Sequence, residues 1–307
     1  MKNIYIITCL LLSVTISKAQ YQWDLGVGLG ISNYLGDIGG KEKDRRDFLP
    51  DMRLAKTRWN MAGFARYKAL PKISVKAAFE YLRIEGDDKL STNRGRHARN
   101  LNFRNDVLDL SVTGEYFFFE NNDLGNTYRY QNGFRAYVFA GVGCYYSNPK
   151  AYYNGQWVAL RPLQTENVKY SAFGLSIPYG LGFYFTLKKK HRLGFEVNAR
   201  KTFSDYIDDV SDKYADPSTQ TPLAAALGSR TQELVDVDPT LAKNYIYNTV
   251  DNPGNKRGDP THKDQYMTMQ VSYSYVLRGK SSFYKGHYKN FFGGKKRGKV
   301  RKIRAKF

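Results

Sequence analysis

Cysteine is nearly absent from this chain of 307 residues: Cys9 and Cys144 are the only two. Cys9 lies inside an apolar run near the start. Once that leader is removed Cys144 stands alone, so neither an intramolecular disulfide nor a cysteine-based zinc site can form. Cys9 also follows Thr8 in mid-run rather than a small residue at its end, which argues against lipidation there. Long apolar runs are equally scarce. Beyond Ile16 no stretch of about 18 apolar residues occurs, which excludes a later membrane-spanning helix. Histidine is limited to His97, His191, His262 and His287, in loops, turns or tail and without metal-ligand spacing. Only His97, on a long loop, could serve as a catalytic base, and no neighbouring serine supports it. The glycines of Gly26-Val27-Gly28-Leu29-Gly30, Gly141-Val142-Gly143 and Gly180-Leu181-Gly182 recur at period two, not at the spacing that opens a helix onto a pyrophosphate. No cofactor, no catalytic group and no metal site is expected, and the chain reads as a non-enzyme.

What is abundant is aromatic and basic. The chain has 25 Tyr, 18 Phe and 27 Gly with only 10 Pro, and a mean hydropathy of −0.57, a composition of many strands. Of the net charge of +20, twelve Lys or Arg residues fall between Arg278 and Phe307 and two in the leader, which leaves +6 for the body. Met1, Lys2 and Asn3, the apolar run Ile4 to Ile16, and Ser17-Lys18-Ala19 have the layout of a cleavable signal peptide over residues 1–19. The chain is thus divided into that leader, a body at 20–277 and a basic tail at 278–307.

Through the body the dominant signal is alternation. From Tyr21 to Tyr34 one face carries Trp23, Leu25, Val27, Leu29 and Ile31, the other Asp24, Gly26, Gly28, Gly30 and Ser32. The same pattern predicts strands at Trp59 to Ala69, Ile73 to Ile84, Asp106 to Phe118, Phe134 to Tyr146, Tyr179 to Leu187, Arg192 to Phe203 and Gln265 to Leu277, eight in all. Connections alternate between turns, such as Leu70-Pro71-Lys72 and Lys188-Lys189-Lys190-His191, and long loops at Leu35 to Arg58, Glu85 to Asn105, Ser147 to Ala172 and Ser204 to Asp264. Short turns on one rim and long loops on the other are the pattern of an outer-membrane barrel. The expected fold is therefore all-β, an eight-stranded antiparallel transmembrane β-barrel with long extracellular loops and a periplasmic basic tail.

The polar faces agree. Arg66, Lys76, Glu80, Glu115, Arg135, Glu196 and Arg200 alternate with the apolar set, so closure would turn them inward as an ionic plug. Trp23, Tyr34, Trp59, Tyr67, Tyr81, Phe118, Phe134, Tyr146, Phe185, Phe203 and Tyr275 sit at strand ends and are expected to form two interfacial girdles. Asp205-Tyr206-Ile207-Asp208-Asp209-Val210-Ser211-Asp212 concentrates carboxylates at the outer rim, as capping groups or as calcium ligands, although it lacks the spacing and glycine of a calcium loop. Leu223 to Leu227, with three alanines, could form a short helix. In the tail, Lys295, Lys296, Arg297, Lys299, Arg301, Lys302, Arg304 and Lys306 follow Phe291, Phe292 and two glycines. On the periplasmic side their candidate partners are anionic head groups, the cell wall or an acidic protein face, and not nucleic acid.

Two motifs carry a resemblance. Ser32-Asn33-Tyr34-Leu35-Gly36-Asp37-Ile38-Gly39 and Asp205-Tyr206-Ile207-Asp208-Asp209-Val210-Ser211 resemble the paired motifs of the PorG-type barrels of the Bacteroidota type IX secretion system. The resemblance spans about Tyr21 to Leu277. It implies an outer-membrane barrel with outer-membrane lipid and PorK/PorN-like periplasmic ring proteins as partners, and it does not imply that the barrel is the translocation pore. From another class, an OmpA-like surface receptor or adhesin would use the long outer loops instead.

Overall fold

In the computed structural model, the described residues are 23–38, 54–126 and 131–277. The leader and the tail cations from Lys295 to Lys306 lie outside them. Eight long strands form the wall: β1 (Trp23–Leu35), β2 (Arg58–Leu70), β3 (Ile73–Asp87), β4 (Asn102–Asn121), β5 (Gly133–Tyr146), β8 (Phe173–Leu187), β9 (His191–Thr202) and β10 (Gln265–Leu277). All neighbours are antiparallel. The order β3-β2-β1-β10-β9-β8-β5-β4 is closed by β3 pairing with β4, so the barrel has no free edge and its strand backbones satisfy one another across the membrane.

Strand bounds follow the alternation to within about four residues, β4 running from Asn102 to Asn121 where Asp106 to Phe118 is expected, with one larger exception. β8 begins at Phe173, six residues before the expected start, because Pro178 interrupts the pattern without ending the strand. The β5–β8 ladder skips from Ala140↔Tyr179 to Gly143↔Ser176 across that proline, which has no N–H to give. The long loop after β5 also holds a hairpin, β6 (Lys150–Tyr153) and β7 (Gln156–Ala159), whose four-residue strands are too short for alternation to mark.

The outer face is apolar where lipid would touch it. Leu25, Val27, Leu29, Leu110, Val142, Leu181 and Val271 are all at least half exposed. Trp23 packs on Tyr67 at 4.8 Å at one boundary and Trp59 on Tyr81 at 4.9 Å at the other. The eight residue steps from Trp59 to Tyr67 correspond to about 27 Å of strand, or roughly 21 Å along the normal at a tilt of about 40°. Above that belt the outer face becomes ionic. Arg83 pairs with Asp106 at 2.6 Å and Lys56 with Asp87 at 3.1 Å, so the wall continues into water. This is an outer-membrane barrel, with both ends of its wall, Trp23 and Leu277, at the short-turn, periplasmic rim.

One girdle assignment is corrected. Tyr34 is buried inside the barrel top, against Phe103 at 4.8 Å, and not at the lipid boundary. Its even number puts it on the face of Asp24 and Ser32, and the period-two rule outweighs position near a strand end.

Candidate functional site

The lumen is filled in layers, from the charged middle upward and downward. Arg66 donates Nε to Glu115 Oε2 at 2.7 Å and Nη2 to Oε1 at 2.9 Å, and Nη1 reaches Asp24 at 3.3 Å. Lys76 lies 2.6 Å from Glu196 and 3.9 Å from Glu115. Tyr137 donates its hydroxyl to Glu196 at 2.8 Å, and Arg192 donates to Asp24 at 2.8 Å. Beside this cluster Arg200 bonds Glu80 and lies 3.2 Å from Asp109, while Tyr266 donates to Asp109 at 2.9 Å and Asn60 to Glu80 at 2.8 Å. Buried charges are tolerable only when paired and hydrogen-bonded in this way. A cavity of about 20 Å³ between the two clusters has room for a single water.

Six of the seven expected plug residues therefore meet in the mid-lumen: Arg66, Lys76, Glu80, Glu115, Glu196 and Arg200. Arg135 stands apart, paired with Glu120 near the periplasmic mouth. Sequence reading missed Asp109, Tyr137, Arg192 and Tyr266 as members. For Asp109 and Tyr137 the signal was present, since each alternates with outward Leu108, Leu110, Ala136 and Val138.

Toward the periplasm an aromatic layer of Phe117, Tyr137, Phe139 and Tyr184 follows. Gly182 makes room for it: a Cβ there would lie 2.7 Å from the Tyr137 hydroxyl. Toward the outside, the lumen is capped by an apolar plug. Ile38 from the first motif and Ile207 and Val210 from the second are buried against inward Leu82, Ile84, Phe103, Val107, Tyr145 and Tyr266.

Polar bonds lock these two motifs together. Asp208 accepts from the backbone of Ile38 at 3.1 Å and of Val210 at 3.0 Å. Asp264 accepts from Tyr34 Oη and, at 3.0 Å, from the Ile207 amide. Asp37 accepts from the Asp259 amide at 2.8 Å, and Ser211 donates to Asp205 at 2.7 Å. Gly36 permits the fold-back of Tyr34, because a Cβ there would lie 1.8 Å from the tyrosine oxygen. Two arginines complete the clasp. Arg99, in α1 (Arg94–Arg99), pairs with Asp88 at 2.7 Å and donates to the Asp37 carbonyl at 2.8 Å; Arg257 pairs with Glu166 at 2.9 Å and donates to the Asp209 carbonyl at 2.6 Å.

Burial, and next the charge of Asp37, pushes the Asp208 carboxyl up to about 8; burial also pushes Asp209 up to about 6 against the pull of Arg257, and raises Asp264 well above the carboxylate range. Within the Asp205–Asp209 cluster Asp208 caps backbone amides, while Asp205 accepts from the Ser211 hydroxyl and Asp209 from the hydroxyls of Thr165 and Tyr170. Among the described residues no three His, Cys, Asp or Glu side chains converge as a metal site.

The rest of the long last loop forms a compact cap. The short helix expected around Ala224 is α2 (Pro222–Gly228), whose Leu227 packs against Ala151 and Leu160 of the hairpin loop. Two further helices, α3 (Thr231–Val237) and α4 (Tyr245–Thr249), lacked a readable periodicity at five to seven residues each. His97 bonds Tyr247 of α4 at 2.8 Å, which ties α1 to the cap.

Comparison with known proteins gives a family. A family model described as "Domain of unknown function (DUF6089)" matches residues 2–220. No curated protein sequence matches the chain. Among solved structures, the chain is similar to the N-terminal beta-barrel domain of Pseudomonas aeruginosa OprF, at 8% identity and a TM-score of 0.35, covering 84% of this chain and 100% of that one. The outer membrane protein OprG of the same organism gives 10% identity and 0.38, with 85% and 99% covered. Ail, the attachment invasion locus protein of Yersinia pestis, gives 12% and 0.34, with 84% and 100% covered.

Proposed function

The chain belongs to the DUF6089 family, and from that premise we propose that it is a non-enzymatic outer-membrane component of the type IX protein secretion system, anchoring or organising the periplasmic ring. One observation supports the reading above others. The two motifs that resemble those of PorG-type barrels are separated by 165 residues between Gly39 and Asp205, yet they join as one lid over the lumen. A shared motif pair that forms one structural unit is harder to meet by chance than two unrelated matches. The ion-paired lumen fits an anchor better than a conduit.

In this reading the wall fixes the chain in the membrane, while the short turns and Lys295, Lys296, Arg297, Lys299, Arg301, Lys302, Arg304 and Lys306 face PorK/PorN-like partners. The test is affinity purification of the tagged protein from mildly solubilised outer membranes, with and without Lys295 to Phe307. Ring proteins recovered only with the tail support anchoring through it; recovery without it moves the contact to the turns. Recovery in neither case defeats the secretion reading.

A second reading has its own observation. The cap exposes Val237 at 85% and Tyr245 at 78%, as a surface receptor or adhesin would. Tail removal would leave such an activity unchanged.

A further inference from the structure

The periplasmic mouth of the barrel contains a cavity of about 340 Å³ that the anchoring reading does not use. Lys68 of β2, Arg135 of β5, Arg192 of β9 and Lys189 of the β8–β9 turn line it. Arg135 is matched by Glu120, and Arg192 by Asp24, a carboxylate it shares with Arg66. Neither Lys68 nor Lys189 forms an ion pair among the described residues, although Glu120 also attracts Lys68 at longer range, so the four cations of the cavity outnumber the carboxylates beside them. Its ceiling is aromatic: the guanidinium of Arg192 lies 4.7 Å from the Tyr184 ring and that of Arg135 lies 5.6 Å from Phe117.

Position decides which anion fits. Lys68, Arg135 and Arg192 continue the inward rows of Arg66, Tyr137 and Glu196, while their neighbours Tyr67, Phe134 and Leu193 face outward. The wall therefore stands between these cations and the lipid head groups. A ligand has to enter from below, along the barrel axis. We propose that the mouth is a binding site for an acidic peptide segment of a periplasmic protein, whose Asp or Glu carboxylates bridge Lys68 and Lys189. Carboxylates suit it because two unpaired ammonium groups in a partly enclosed cavity gain most from fixed negative charge, and because the fork-shaped donors of Arg135 and Arg192 stand beside them. The sequence beyond Leu277, which ends the wall at this rim, carries twelve further Lys or Arg residues of the same sign and would reinforce attraction of the same partner. The proposal does not require the secretion reading, only a periplasmic mouth.

The test uses the purified full chain in nanodiscs of zwitterionic lipid, with a fluorescent octaglutamate peptide as probe and octaglutamine as control. Octaglutamate is expected to bind in low salt and octaglutamine not to. Lys68→Gln with Lys189→Gln is expected to weaken binding tenfold or more, while replacing the eight tail cations from Lys295 to Lys306 by glutamine costs less than threefold. Retained heat-shifted gel mobility shows each variant folded; should the double variant fail that check, Lys189→Gln alone, at an exposed turn position, is expected to weaken binding at least threefold. Unchanged binding in the mouth variants overturns the proposal. So does loss confined to the tail variant, or displacement of the peptide by anionic lipid in the nanodisc, which would assign the cations to head groups. Because no ring protein is present, this outcome is separate from that of the purification test: peptide binding without ring recovery defeats only the anchoring reading.

Discussion

The two ends of this barrel are finished by opposite means. At the outer end an apolar plug from two distant motifs is sealed by buried acids, and the loop that supplies most of it, residues 203–264, has eleven Asp or Glu against six Lys or Arg. At the inner end an open cavity is ringed by cations, with Lys72 and Lys188 to Lys190 on the adjoining turns. The outer end is built to stay shut and the inner end to stay accessible. Between them the ion-paired layer separates the two, which makes it the place where the comparison breaks most easily.

The largest expected effect lies there. Arg66→Met leaves Glu115 and Asp24 buried with a cation removed, at a cost of about 3–5 kcal/mol. Denaturant titration of the refolded barrel in detergent should show it, and Arg66→Met with Glu115→Gln should recover part of the loss. A barrel indifferent to Arg66→Met would mean that the layer is solvated.

Next comes the lid. Ile207→Ala removes a fully buried side chain from the apolar plug and should cost about 2–4 kcal/mol of local stability. The readout is protease cutting within 203–264, expected to accelerate while the barrel keeps its heat-shifted mobility. Equal loss of both would show that lid and wall unfold as one.

The same lid should loosen as pH rises. Asp208 is held at about 8 against about 3.8 in the unfolded chain, so the folded form holds the extra proton. The stability it brings is full below about 4, declines between about 4 and about 8, and is lost above. Asp209, held at about 6, and the raised Asp264 act in the same direction. Protease cutting of the cap should therefore quicken from pH 6 to pH 9, and Asp208→Asn should flatten that profile. A profile that quickens toward acid would reverse the assignment.

How far the sequence reveals these two ends differs for a physical reason. In the wall, each residue's side is fixed by parity, so the eight strands, the lipid face and six plug residues can be read from alternation alone. Tyr34 shows the rule outperforming a positional guess, and Asp109 shows that it could have been pushed further. The lid has no period. Ile38, Ile207, Asp264 and Arg99 meet through contacts between residues far apart in sequence, and helices of five to seven residues give no periodic stripe. Only the two motifs hinted that those segments belong together.

The smallest expected effect belongs to the mouth. Lys68 and Lys189 have no ion pair to lose, and the longer-range pull of Glu120 on Lys68 is opposed by Arg135 and Arg192, so Lys189→Gln should change barrel stability by less than about 0.5 kcal/mol and Lys68→Gln by little more. Relief of repulsion from Arg135 and Arg192 could even make Lys68→Gln slightly stabilising, because like charges near one another oppose folding. Denaturant midpoints of the two variants against the parent measure this directly. Stability unchanged with octaglutamate binding lost would set the mouth apart from the lid, as a surface whose charges serve a ligand rather than the fold. Destabilisation above about 1 kcal/mol would instead make these lysines part of the ionic framework and erase the contrast between the two ends.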